Sequence, residues 1–270
     1  MEKITLRPSS LATFVSCPRQ WYNVFILGEN TIPNARAAIG TGIHAGAEAM
    51  WNEAIKTKDK SSPNVSMMTD AAIEAYDTEV KNAEGNLKYD VDLDDNIARS
   101  TIIKGTKAFV EDIVPFTEIP KAVETRVTVE IDHCIVKNIS GTIDYITDDT
   151  IADIKTSKRK IVPQSHTLQQ SVYKFLAKES GYKNIKRNLI QGVVLAKTKT
   201  VGGIDTLDAN VSQAKYIINN LLDRLDALHA GTNPDLLFPG NPKHYLCSDL
   251  YCNLRPTCPF VHGDNKNPVV

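Results

Sequence analysis

The stretch Gly141-Thr-Ile-Asp144-Tyr-Ile-Thr-Asp-Asp-Thr-Ile-Ala-Asp153-Ile-Lys155 decides the reading of this chain. Thr142–Ile146 and Ile151–Thr156 have strand-like composition, and Thr147-Asp-Asp-Thr150 between them is rich in turn formers, which predicts a hairpin. Asp144 stands near the end of the first run. Asp153 and Lys155 lie two residues apart on the second, so their side chains leave the same face of the strand. Two carboxylates bind a hard divalent cation, and an ammonium beside them can orient or activate a water nucleophile. Asp148 and Asp149 read as turn formers and not as ligands. A lone Asp-x-Lys would mean little. Flanked by apolar residues and one hairpin after Gly-x-x-Asp, it points to metal-assisted phosphodiester chemistry.

Two further groups lie outward from this hairpin. Downstream, Gln169 and Tyr173 fall four residues apart on the helix-like stretch Gln164–Glu179, and so share a face. Upstream, Gly40-Thr-Gly-Ile-His44 opens a helix-like stretch that runs to about Ile55. Taken singly, His44 is more often a core or surface histidine than a ligand, and Gln169 and Tyr173 are ordinary helix residues. Their order and spacing around the hairpin change that reading.

Together these groups resemble the PD-(D/E)XK nucleases, in the RecB-like branch that includes CRISPR-associated RecB-like exonucleases. The resemblance covers most of the chain, including Ser9-Ser-Leu-Ala-Thr-Phe-Val-Ser-Cys17-Pro-Arg-Gln-Trp-Tyr22, which is similar to that branch's N-terminal signature. It implies a restriction-endonuclease-like α/β fold, with a central mixed sheet flanked by helices, a helical N-terminal region and a metal-stapled C-terminal segment. It also implies that His44, Asp144, Asp153 and the backbone carbonyl of Ile154 hold Mg²⁺ or Mn²⁺. Lys155 would position the water, and Gln169 and Tyr173 would orient Lys155 or a phosphate. An imidazole among the ligands favours Mn²⁺, being a softer donor than carboxylate.

Five cysteines are present, three of them crowded at Cys247, Cys252 and Cys258. Met1-Glu-Lys-Ile-Thr5 lacks the apolar core of a signal peptide and no run approaches transmembrane length, so the expected setting is the cytoplasm of a bacterial, archaeal or phage-infected cell, with no membrane partner. In a reducing compartment clustered cysteines point to metal, and thiolates suit zinc or an iron–sulfur cluster. One subgroup of RecB-like nucleases holds a 4Fe–4S cluster on one N-terminal and three C-terminal cysteines. Cys17-Pro18, Cys258-Pro259 and the gap from Cys252 to Cys258 are similar to that subgroup, which implies Cys17, Cys247, Cys252 and Cys258 as ligands. The gap Ser248–Tyr251 is four residues where the subgroup has two, and a zinc site on the same thiolates is the alternative. Such a centre would tie the two chain ends together and contribute to folding stability. Cys134 reads as a hairpin or small core residue outside the site.

Formal net charge is −1, so whole-chain electrostatics carry no sign of nucleic acid. The distribution does. From Lys155 to Lys199 there are eleven basic residues and one acid, Glu179. A phosphate backbone is attracted to such a strip, and Lys158, Arg159 and Lys160, which begin beside Lys155, are the expected DNA contacts. The alternative is a solvated charged face.

The layout reads as a single nuclease domain over residues 1–270. It has a mainly helical region at 36–115, a catalytic α/β core at 120–230, and a metal region at 17 and 247–258. Helices are expected at Arg36–Ile55, Thr69–Glu84, Ile97–Ile113 and from Asp208 to His229, with a polar loop at Lys58–Asn64. The strands expected are Ala122–Ile131, Ile135–Ile139, Thr142–Ile146, Ile151–Thr156, Leu189–Lys197 and an edge strand Ile204–Thr206. The acidic stretch Asp90–Asp95 reads as part of an insertion able to cap the groove. Thr232–Val270 is a Pro-rich tail.

The functional expectation is a metal-dependent DNA exonuclease on single strands or ends, in recombination, repair, or CRISPR or phage DNA processing. Recombination or CRISPR adaptation proteins are the partners the resemblance implies. No Gly-x4-Gly-Lys-Ser/Thr occurs, so ATP-driven unwinding would need a partner. The competing classes are a non-catalytic DNA-binding adaptor on the same fold, and a nuclease active only inside a complex.

Overall fold

The computed structural model describes residues 3–31, 33–61, 64–196, 199–244, 247–249 and 251–262. Pro63, Lys197 and the tail beyond His262 lie outside them. The described elements, in chain order, are β1 (Ile4–Leu6), α1 (Pro8–Ser16), α2 (Pro18–Phe25), α3 (Ala35–Thr57), α4 (Val65–Asn82), α5 (Asp95–Asp112), β2 (Ala122–Glu130), β3 (Val136–Ile146), β4 (Thr150–Ser157), α6 (Thr167–Glu179), β5 (Arg187–Leu195), β6 (Thr200–Leu207) and α7 (Val211–His229). The chain forms two compact units, Pro33–Val127 with Gly141–Asn210, and Met1–Ile32 with Thr128–Ser140 and Val211–Val270.

The larger unit carries a mixed sheet. Its order is β3-β4-β5-β6, with β3–β4 and β5–β6 antiparallel and β4–β5 parallel. Helices α3, α5 and α6 pack on this sheet, so the expected class, a mixed sheet flanked by helices, is the observed one. Three of its helices start at an Asx cap. Asn34, Asn64 and Asp94 each accept a backbone N–H three residues on, from Ala37, Met67 and Ile97, which fills otherwise orphaned donors of the first turn. These caps set starts earlier than the apolar period alone suggests, most visibly for α4, which begins at Val65.

Helix α3 packs tightly on α4 because its contact face is made of small residues. A Cβ at Gly42 would lie 2.6 Å from the Ala72 carbonyl oxygen, and one at Gly46 2.5 Å from that of Met68. Ile39, Ile43, Met50 and Trp51 then bury fully with Phe109 and Ile154 in one core. Burial of each such side chain contributes roughly 1.5–3 kcal/mol. The face left over, Gly40, His44 and Glu48 at four-residue spacing, has Gly40 against Thr156 of β4, with a built Cβ 3.1 Å from Thr156 Oγ1.

The structure corrects several boundaries. β3 is one eleven-residue strand and not two runs split near Gly141. α6 begins at Thr167, because Gln164 to His166 form a 3₁₀ turn behind Pro163. β6 is a full eight-residue edge strand whose glycines hide it from strand propensity. In the smaller unit β1 runs parallel to the start of β3. Trp21 of α2 is fully buried there, stacked on Phe25 and Phe238 with Phe14 edge-on. In the turn before β3, His133 Nδ1 accepts the N–H groups of Ile135 and Val136, and its Nε2 lies 3.0 Å from Asp226. Cys134 sits in this turn exposed, so it is a hairpin residue and not a core one. Among the described residues no helix is long and apolar enough to cross a membrane.

Candidate active site

The hairpin places its carboxylates as its spacing predicts. Tyr145 pairs with Ala152 and Ile146 with Ile151, so the same register carried one step further sets Asp144 opposite Asp153. The ladder gives way there. Asp144 Oδ2 accepts the N–H of Ile154, a bond from a backbone donor to a charged acceptor. Tyr145, on the opposite face, is fully buried and anchors the strand, with its hydroxyl 2.7 Å from Gln191 Nε2 of β5. Gln191 Nε2 also donates to Thr117 Oγ1 at 2.9 Å. Asp148 and Asp149 stay in the turn, paired to Lys121 and Arg187.

Asp153 is 97% buried as a residue, its own relative exposure being 3%. Its Oδ2 lies 2.7 Å from Lys155 Nζ in an ion-pair contact. Burial pushes its carboxyl upward, Lys155 opposes this, and Asp144 adds to it. A buried carboxylate beside a second one, Asp144, is an environment that a further cation relieves.

His44 projects from α3 toward the same point, Nδ1 3.5 Å from Asp144 Oδ2. Burial disfavours its charged form, but the charge and contact of Asp144 outweigh this and hold its pKa above the ordinary value. Glu124 of β2 completes a cluster that the motif reading missed. Ligand atoms of His44, Glu124 and Asp144 all lie within 4.8 Å of one another. Glu124 has a left-handed backbone, φ 44°, which is strained for a residue with a side chain. Burial first, then Asp144, pushes its carboxyl up to about 7. Glu48, one turn beyond His44, adds further negative charge near Glu124. Neither Glu48 nor Glu124 was singled out by the motif reading, and nothing in the local pattern marks Glu124.

On α6 Gln169 Nε2 donates to the Tyr173 hydroxyl at 3.5 Å, a long contact. Tyr173 is buried, and burial first, then the Asp153 charge, raises its pKa. His166, just before α6, is held neutral, its pKa lowered to about 4 by burial and by the Lys155 charge. The structure therefore brings His44, Asp144, Asp153 and Lys155 together, with the Gln169–Tyr173 pair on the helix that packs on β4. Lys158 is paired to Asp92, while Arg159 and Lys160 are exposed.

In the smaller unit Cys17, Cys247, Cys252 and Cys258 line one cavity, with Arg19 and Arg255 beside them. Cys17 sits at the junction of α1 and α2, and its sulfur accepts the Asn241 N–H at 3.4 Å. The N–H groups of Leu254 and Arg255 point at the Cys252 sulfur, drawing its pKa down against the stronger effect of burial, which leaves it raised. All four thiols are free of disulfides. Among the described residues, no three of these sulfurs gather within 4.8 Å of one another.

A family model described as the PD-(D/E)XK nuclease superfamily matches residues 5–259. No curated protein matches the chain. A solved structure, "Crystal structure of SSO0001", aligns with 97% of this chain and 88% of its own at 13% identity and a TM-score of 0.40.

Proposed function

The chain belongs to the PD-(D/E)XK nuclease superfamily, a group of metal-dependent nucleases, and from that premise we propose that it is a DNA exonuclease of the RecB-like branch acting on single strands or ends. Its place is recombination, repair, or CRISPR or phage DNA processing. The observation that supports this most is the convergence of His44, Asp144, Asp153 and Lys155, with Asp153 buried beside the Asp144 charge.

The donor set suits a hard divalent cation, Mg²⁺ or Mn²⁺, held by Asp144, Asp153, His44 and the Ile154 carbonyl, with Glu124 as a further carboxylate. When bound, such an ion polarises a phosphoryl oxygen and lowers the pKa of water. Lys155, steered by its ion pair with Asp153, orients the attacking water and offsets negative charge developing on the phosphoryl group. Tyr173, with Gln169 on its hydroxyl, stays protonated and presents a hydrogen-bond donor beside Asp153. His166 stays neutral at pH 7 and so adds no competing positive charge next to Lys155.

The four-cysteine cavity suits a 4Fe–4S cluster. A tetrahedral zinc on the same four thiolates is the alternative. Backbone N–H groups aimed at a sulfur and flanking arginines suit an anionic thiolate cluster.

The test is end-labelled single- and double-stranded DNA incubated with anaerobically purified protein and Mn²⁺ or Mg²⁺, beside Lys155→Ala. Metal-dependent shortening by the wild type alone supports the nuclease, and the order of product lengths gives polarity. Bound but intact DNA under both metals refutes it in favour of an adaptor or of an enzyme that needs its partner.

A further inference from the structure

Two elements of the larger unit lead from the candidate metal centre to a second charged groove. Along α3, Arg36 precedes His44 by two turns, a distance of about 12 Å at ~1.5 Å per residue. Just past the end of β4, Lys158 follows Lys155 by three residues, at most about 10 Å at ~3.3 Å per residue. Both cations end on one carboxylate. Arg36 Nη2 lies 2.9 Å from Asp92 Oδ1, and Lys158 Nζ pairs with Asp92 Oδ2. The groove at this point encloses about 430 Å³ and is lined by Arg36, Lys104 and Lys158 around Asp92, with Leu93 and Ile97 as an apolar side. Ile97 is 46% exposed, so apolar surface beside the cations faces solvent.

We propose that this groove is an anchoring subsite for a nucleic-acid strand, in which Asp92 holds the place of a phosphate until a strand displaces it. This rests on the nuclease reading for the direction of the strand but on the groove itself for the binding. The chemistry is that of a phosphodiester flanked by a base. Arg36 and Lys158 pair with Asp92 and Lys104 also lines the groove, so the lining carries more positive than negative charge, and the excess grows when Asp92 is neutralised or moved aside. The pairs are solvent-touched, with side-chain exposures of 29% for Arg36, 26% for Asp92 and 43% for Lys158. A strand phosphate can therefore compete with Asp92 for both cations. Arg36 keeps a second partner in Asp90, so it stays aimed into the groove when Asp92 leaves.

The experiment measures affinity for a fluorescent single-stranded oligonucleotide of about a dozen bases across a salt series. Divalent metal is left out, so binding is read whether or not the chain cuts. Asp92→Asn should tighten binding roughly threefold to tenfold at low salt, because it removes the competing charge while keeping the side-chain shape. Lys104→Ala and Lys158→Ala should each weaken binding and lower the slope of log affinity against log salt by about 0.7. Weaker or unchanged binding in Asp92→Asn, or unchanged salt slopes in both lysine variants, overturns the subsite. Melting temperatures of the same samples identify a misfolded variant, and Asp92→Glu should then fall between wild type and Asp92→Asn. Cutting of the same oligonucleotide by the wild type with Mn²⁺ is scored separately. Tightening without cutting keeps the subsite and removes the nuclease reading, and cutting without tightening does the reverse.

Discussion

Glu124→Gln in the metal-free chain gives the sharpest test of the cluster. Burial and the neighbouring Asp144 charge lift the folded-state carboxyl from 4.5 to about 7. An acid whose pKa is raised on folding costs stability as pH rises, because the unfolded chain gives up its proton first. The cost is absent below pH ~4.5, grows through the interval up to ~7, and is complete above it. The full shift corresponds to about 3 kcal/mol. Glu124 is only partly buried, so solvent screening reduces this to roughly 1–2 kcal/mol. Replacing the carboxylate by the amide of the same shape removes that cost. Without metal, Glu124→Gln should match the wild type at pH 4.5–5 and melt roughly 2–6 °C higher at pH 8. With saturating Mn²⁺ the order should reverse, because the wild type gains a ligand that the variant lacks, and the variant's Mn²⁺ affinity should fall by at least ~10-fold. Thermal melts across pH 5–8, with and without Mn²⁺, read all of this. Parallel pH profiles for the two proteins, or unchanged Mn²⁺ affinity, would refute the assignment of Glu124 to the centre.

Other perturbations separate the remaining parts. Lys155→Ala should lower the cutting rate by at least ~10²-fold while retaining most DNA binding, followed by single-turnover kinetics and gel shift; loss of fold and activity together would make Lys155 a structural residue. Cys252→Ser should abolish the iron content and visible absorbance of anaerobic protein and lower its melting temperature. Unchanged colour, metal content and melting point would remove the staple. Gly46→Ala should destabilise by about 1–3 kcal/mol in urea unfolding, since its Cβ meets the Met68 carbonyl at 2.5 Å. A neutral effect would mean that α3 and α4 separate easily.

Much of the site could be read locally because its parts are bound by short-range geometry. Asp153 and Lys155 share a face by strand alternation, Gln169 and Tyr173 by the helical repeat, and Asp144 is tied to Asp153 by a tight turn. The helix starts needed one more local fact, the Asx caps, which the apolar period does not carry. Gly202 and Gly203 concealed the length of β6, because that strand is made by eight pairings with β5 and not by its own propensity. The acidic stretch around Asp92 read as an insertion, and its specific pairing with Arg36 and Lys158 spans more than fifty residues of sequence.

What the sequence determined by itself is the hairpin with Asp153 and Lys155 on one face and the helix that carries His44, since each is written in residue type and spacing. The tertiary structure alone decided that Glu124 joins His44 and Asp144 and that Asp153 is buried beside Lys155. It alone set the Asp92 carboxylate between Arg36 and Lys158. Those facts depend on where strands separate and which helix covers them, and such packing minimises a sum over distant contacts that no local pattern records.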